Sequence, residues 1–129
     1  KRKVGMKLKR VTEDYLKTIY ILSLKGEVHA TRLAEELGVS KPTVSVSLKS
    51  LEKDGYIIRD ENRVIFLTRS GKKIAKSVYE RNCVFCEMLE NLGVDKTTAA
   101  SDACKLEHVV SPESFNALRK FAKYSQNQK

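Results

Sequence analysis

ATRLAEELGVSKPTVSVSLKSLEKDGYI runs from Ala30 to Ile57, and the order of residue types in it decides the fold. Ala34 is small where two helices would have to cross closely. Gly38 stands where a tight turn needs a left-handed residue. Ser40 is a good N-cap, and Pro42 suits a first helical turn, where its missing N–H loses no partner. Val44, Leu48 and Leu51 then form an inward stripe at helical spacing to about Asp54, with Val44 placed to pin this helix on the one before it. A small residue, a turn glycine and a capped helix in that order make a helix-turn-helix.

Upstream, Thr12 before Glu13 and Asp14 marks a helix start, a cap followed by first-turn acids. Tyr15, Leu16, Ile19, Tyr20 and Leu22 give that helix a wide apolar stripe ending at Gly26, and a second helix fits Thr31 to Leu37. Downstream of Gly55 the period changes. Tyr56 to Arg59 and Arg63 to Leu67 read as two short strands joined across Asp60, Glu61 and Asn62, which adds a wing. Helices follow. Thr68 caps a long one through Ile74, Val78, Phe85 and Leu89 to Gly93; Asp95 caps another holding Ala99, Ala103 and Leu106; Ser111 and Pro112 open the last, with Phe115, Leu118 and Phe121 apolar. The expected fold is mainly α, a winged helix-turn-helix lobe over residues 1–67 followed by an all-helical lobe over 68–129.

Charge narrows the partners. The chain has 129 residues, 41% of them hydrophobic, with 25 Lys and Arg against 16 Asp and Glu, a net charge of +9. That excess favours a polyanion, nucleic acid before an anionic membrane. The opening KRKVGMKLKR resembles the basic end of a signal peptide, but the apolar run after it is short and late, so no targeting or spanning segment is expected. Three cysteines are an odd count, poor for a disulfide framework and ordinary in a reducing cytoplasm.

Outward positions of the third helix are short, polar or cationic, as a recognition helix in a major groove requires. The expected DNA-facing residues there are Ser40, Lys41, Pro42, Thr43, Ser45, Val46 and Lys49, with Ser47 beside them. Arg59 and Arg63 of the wing, with the N-terminal basic run, add phosphate contacts. Few of these side chains offer the bidentate Arg–guanine contact, which leaves a role for DNA shape.

ACKLEH, Ala103 to His108, carries a thiol, a carboxylate and an imidazole at i, i+3 and i+4, one face of a helix. Cys104, Glu107 and His108 converge there as a metal site, a catalytic cluster or an ordinary helix edge. Each alone is commonplace. Together they call for compensation, since a charge and a thiol buried side by side are unfavourable. A divalent cation would supply it, and Asp14 is a candidate further ligand.

The chain resembles the diphtheria-toxin-repressor family of iron- and manganese-responsive regulators. The resemblance rests on TEDYLKTIY (Thr12–Tyr20), on SKPTVS (Ser40–Ser45), on LTRSGKKIA (Leu67–Ala75) and, most specifically, on DACKLEHVVS (Asp102–Ser111). It implies a cytoplasmic homodimeric repressor, not an enzyme. A divalent transition metal would lock the dimer for binding to a double-stranded operator, with no membrane partner and no small-molecule substrate. Cys104, Glu107 and His108 match the family's main metal site, and Asp14 falls where the iron branch has Met and the manganese branch has Asp. Fe²⁺ or Mn²⁺ is implied, replaceable by Co²⁺, Ni²⁺ or Zn²⁺.

The departures also matter. Lys17 stands where the manganese branch has a second carboxylate, Asn82 about where both branches have histidine, Cys86 where the iron branch has glutamate, and Ala100 in place of another histidine. A second metal position is thus expected to be absent or rebuilt, with Asn82 and Cys86 as supplementary ligands. The SH3-like domain of many iron-branch members is not in this sequence, so a short form is expected. Three rival readings remain: a purely structural metal, a winged-helix regulator answering a small molecule, and a thiol enzyme using Cys83 and Cys86.

Overall fold

Ser40 caps as its position requires, its hydroxyl accepting the Thr43 amide at 3.2 Å in front of α3 (Lys41–Lys53), with Pro42 in the first turn. The computed structural model describes residues 9–127; the basic run before Lys9 lies outside the described residues. The chain divides into two compact units, residues 1–76 and 77–129.

The first unit holds α1 (Arg10–Ser23), α2 (Ala30–Leu37), α3, β1 (Ile57–Arg59), β2 (Ile65–Leu67) and the start of α4 (Arg69–Asn91). Its core is built from the expected stripes: Leu16 and Ile19 of α1, Leu33 and Ala34 of α2, Val44, Leu48 and Leu51 of α3, with Val28, Ile57, Ile65 and Ala75. Gly38 ends α2 with φ 68° and ψ 34°, the left-handed cap the turn needs.

The wing is an antiparallel pair with Ile58 opposite Phe66. Both strands are shorter than expected because Asp60 folds the chain between them: its carboxylate accepts the amides of Asn62 and Val64, each at 2.9 Å. Arg63 consequently sits at φ 66°, the one positive φ outside glycine among the described residues. The base of the wing is locked to α4. Thr68 Oγ1 donates to the Gly55 carbonyl at 2.7 Å and accepts the Gly71 amide at 3.2 Å, capping α4 as expected. At Gly71 a Cβ would stand 2.0 Å from the Tyr56 carbonyl oxygen, so only glycine lets strand and helix approach this closely.

Helix α1 begins three residues before the expected start, with Lys9 rather than Thr12 at its N-cap and no side-chain capping bond; Thr12 is inside the first turn. Helix α2 likewise starts at Ala30, one residue early, behind His29. Both starts are set by core packing rather than by a capping side chain.

The second unit contains the rest of α4, then α5 (Lys96–Leu106) and α6 (Pro112–Asn127). Asp95 caps α5 by accepting the Thr98 amide at 3.1 Å, and this bond holds the Asp95 carboxyl below its ordinary value. Ser111 caps α6 through the Ser114 amide at 3.1 Å. Phe85, Ala103 and Phe115 form the buried cluster, with Phe85 edge-on to Phe115 at 5.7 Å. Leu92, Val109, Phe121 and Tyr124 stay exposed. No helix among the described residues is long and apolar enough to cross a membrane.

Candidate metal centre and nucleic-acid interface

Ser40, Lys41, Pro42, Thr43, Ser45, Val46 and Lys49 are all exposed, on one capped helix whose Val44, Leu48 and Leu51 are buried. Burying one stripe of α3 presents the opposite side as a continuous polar and cationic surface. Arg63 is exposed at the wing turn. Arg59 is placed differently. Its guanidinium donates to both carboxylate oxygens of Glu52, at 2.8 and 3.2 Å, and is only 14% exposed. That bidentate pair straps the wing to α3, and it holds the Glu52 carboxyl below its ordinary value. Glu52 was not singled out from sequence, where it reads as a solvated helix charge.

The metal-ligand candidates of the second unit lie at the end of α5. Cys104 is in its last turn; Glu107 is its C-cap, with helical φ −58° and ψ −23°. The helix stops before His108, so the expected continuous face over Cys104, Glu107 and His108 is a helix end followed by a tighter turn. The Glu107 amide still donates to Ala103 at 3.0 Å, four residues back, while the His108 amide reaches Lys105 at 3.4 Å, three back. The turn keeps the two side chains together. His108 Nε2 lies 3.1 Å from Glu107 Oε2, with the side chains 3% and 0% exposed.

A residue on α4 holds this turn, and sequence reasoning missed it. Arg81 donates to the backbone carbonyls of Glu107, at 3.4 Å, and Val110. Its guanidinium also lies over the Phe115 ring at 5.0 Å, where Arg119 joins it at 5.5 Å. Carbonyls at a helix C-terminus lack intrahelical partners, and a cation there meets both that need and the helix dipole. Nothing in the sequence marks Arg81 for this task, because its partners are main-chain atoms far along the chain.

Asn82 and Cys86 share a face of α4, four residues apart. Asn82 Nδ2 donates to Cys104 Sγ at 3.5 Å, and the Cys86 thiol contacts Glu90 at 3.3 Å. Partial burial pushes the Cys86 thiol up, and the Glu90 carboxylate adds to the shift. Cys83 is exposed, and none of the three cysteines is in a disulfide. Lys17 is buried on α1 and Ala100 exposed on α5. Asp14 is half-buried in the first unit, with its carboxylate 4.0 Å from the Arg10 guanidinium.

The donor set fits a divalent transition metal. A buried carboxylate and imidazole in contact, three and four residues past a thiol, combine hard and soft ligands that suit Fe²⁺, Mn²⁺ or their neighbours.

Two family profiles together span nearly the whole chain. Residues 7–64 match the N-terminal DNA-binding domain of iron-dependent repressors, and residues 68–128 match their metal-binding and dimerisation domain. The transcriptional regulator MntR of Salmonella typhimurium is 37% identical over 88% of this chain and 73% of its own length. MntR of Bacillus subtilis is 33% identical over 87% of this chain and 80% of its own. Among solved structures, the manganese regulator SloR is 33% identical with a TM-score of 0.78, over 88% of this chain and 54% of its own. A manganese-dependent transcriptional repressor in complex with manganese is 29% identical with a TM-score of 0.79. This chain spans about half the length of those solved regulators. The profiles are those of a regulator, which removes the thiol-enzyme reading. The chain belongs to the iron-dependent repressor family of transcriptional regulators.

Proposed function

We propose that this chain is a cytoplasmic homodimeric repressor whose operator binding is gated by Fe²⁺ or Mn²⁺ held by Asp14, Cys104, Glu107 and His108. The observation that carries the reading is the Glu107–His108 pair, almost wholly buried at the end of α5 in the part that matches a metal-binding domain. A buried acid beside an imidazole is unfavourable to assemble without strong compensation, so its presence supports a ligand role. The solved relatives named as manganese regulators support the choice of metal, and thiols outside any disulfide agree with a reducing compartment. The exposed apolar residues of the second unit, Phe121 and Tyr124 among them, support a second copy as their cover.

The chain's own residues supply the coupling. Asp14 precedes Tyr15 and Leu16, which bury α1 in the same core that seats Val44 and Leu48 of α3. A restraint on Asp14 is therefore a restraint on the recognition helix. Arg81 and Asn82 hold the ligand segment within the second unit, through the Glu107 carbonyl and the Cys104 sulfur. Asp14 and Glu107 would each bring a carboxylate to the ion, and its charge would offset theirs. Fixing Asp14 to the second unit sets the separation of two recognition helices in a dimer, which must match about 34 Å between successive major grooves. Asn82 and Cys86 are proposed as supplementary ligands.

Calorimetric titration of the metal-free protein with Mn²⁺ tests the ligand set. Glu107→Gln and His108→Ala should each weaken binding by about tenfold or more with helix content unchanged. Unchanged affinity in both variants would remove the proposed site.

A further inference from the structure

We infer that Val46 reads the C5-methyl group of a thymine in each operator half-site, and so acts as the direct base-specificity residue of α3. The inference rests on the reading of α3 as the DNA-recognition helix. Val46 is 70% exposed on a helix whose other large apolar side chains, Val44, Leu48 and Leu51, are buried. A lone valine on an ordinary surface helix would carry no message. Here its neighbours decide.

Base edges in the major groove are read by a short list of groups: arginine or lysine on guanine, asparagine or glutamine on adenine, a carboxylate on cytosine, and apolar carbon on the thymine methyl. The exposed positions of α3 hold only lysine, serine, threonine, proline and Val46. No arginine, amide or carboxylate is free to project from that side, since Glu52 is committed to Arg59. Hydroxyls discriminate bases weakly, and lysines near a helix N-terminus serve phosphates as readily as guanines. Apolar contact with thymine is the specific readout left.

Position and shape agree with it. Val46 lies on a row with Thr43 and Ser50, at i−3 and i+4, in the N-terminal half of the helix that reaches base edges. A β-branched side chain in a helix keeps essentially one χ1 rotamer, so its methyls point in a fixed direction and lose little freedom on contact.

The test uses the full chain loaded with Mn²⁺. A duplex is first selected from a pool of random sequences, and each thymine is then replaced in turn by deoxyuridine, which lacks only the methyl. The wild type should lose about fourfold in affinity per half-site at one thymine, the worth of a methyl-sized contact. Val46→Ala should bind the thymine and uracil duplexes equally, and the thymine duplex about fourfold more weakly than the wild type does. Insensitivity to uracil at every position, or a loss that persists in Val46→Ala, would overturn the inference while leaving the DNA-binding reading intact. Failure to enrich any duplex would overturn both.

Discussion

The two units of this chain are held together in different ways. The DNA-reading unit is an apolar assembly. Among the described residues, thirteen buried ones from four helices, both wing strands and the loop at Val28 form one cluster, and the close approach of α4 to the wing needs a glycine. The second unit has three residues in its buried cluster among the described residues, and polar and cationic groups do much of the rest. Arg81 and Arg119 cover Phe115, Arg119 also pairs with Glu80 at 2.7 Å, and Arg81 ties down the turn that carries Glu107 and His108. A unit that must present one rigid helix to DNA is well served by a dry core. A unit that seats a buried acid against an imidazole needs polar scaffolding, because those groups have to be oriented as well as buried.

Substitutions that strike one kind of support and spare the other break this contrast most sharply. Gly71→Ala should have the largest effect, because its methyl meets backbone and not a movable side chain. We expect a loss of about 3 kcal/mol in urea unfolding followed by helix content. A loss below about 1 kcal/mol would mean that α4 and the wing are not locked as described.

Arg81→Ala should act on the other unit, and on ligand geometry more than on folding. Mn²⁺ affinity should fall about tenfold, the usual scale for residues that orient metal ligands. Arg81→Lys should recover part of that loss, because an ammonium can serve one carbonyl but not two in the same geometry. If Mn²⁺ binds both variants as it binds the wild type, the turn does not depend on Arg81.

The smallest expected effect is at the strap between wing and recognition helix. The Glu52 carboxyl lies below its ordinary 4.5 because Arg59 bonds to its charged form. A lowered folded pKa means the strap contributes fully above that ordinary value and is lost as pH falls through the folded pKa. Glu52→Gln should therefore lose up to about 0.5 kcal/mol near neutrality, a small figure because the pair is partly solvated. The gap from the wild type should close in acid. A gap that is the same at pH 7 and in acid would rule the strap out as the cause.

Legibility in the sequence followed the same division. Elements whose ends are fixed by local chemistry were readable: Ser40, Thr68, Asp95 and Ser111 all cap where their side chains predict. The starts of α1 and α2 were not, because Lys9 and His29 cap no helix with a side chain and tertiary packing sets those boundaries. At the candidate metal centre the thiol, acid and imidazole stand in ACKLEH for any reader, but the helix end at Glu107, just before His108, was not legible. The carbonyls of that break are held by a side chain 26 positions upstream of Glu107, a contact that no local pattern encodes. Arg59 shows the converse. Its charge suggested phosphate, whereas its bidentate bond to Glu52 is a contact between elements that residue type alone does not reveal.

The account stands or falls on whether Asp14, carried by the apolar unit, answers to a cation held by the polar one. The direct measurement is the affinity of a selected duplex for the full chain, by fluorescence anisotropy, with and without saturating Mn²⁺, in the wild type and in Asp14→Ala. We predict that Mn²⁺ tightens wild-type binding on the order of 100-fold, and that Asp14→Ala loses most of this gain while its metal-free affinity stays the same. An equal gain in both proteins, or none in the wild type, would contradict the central claim.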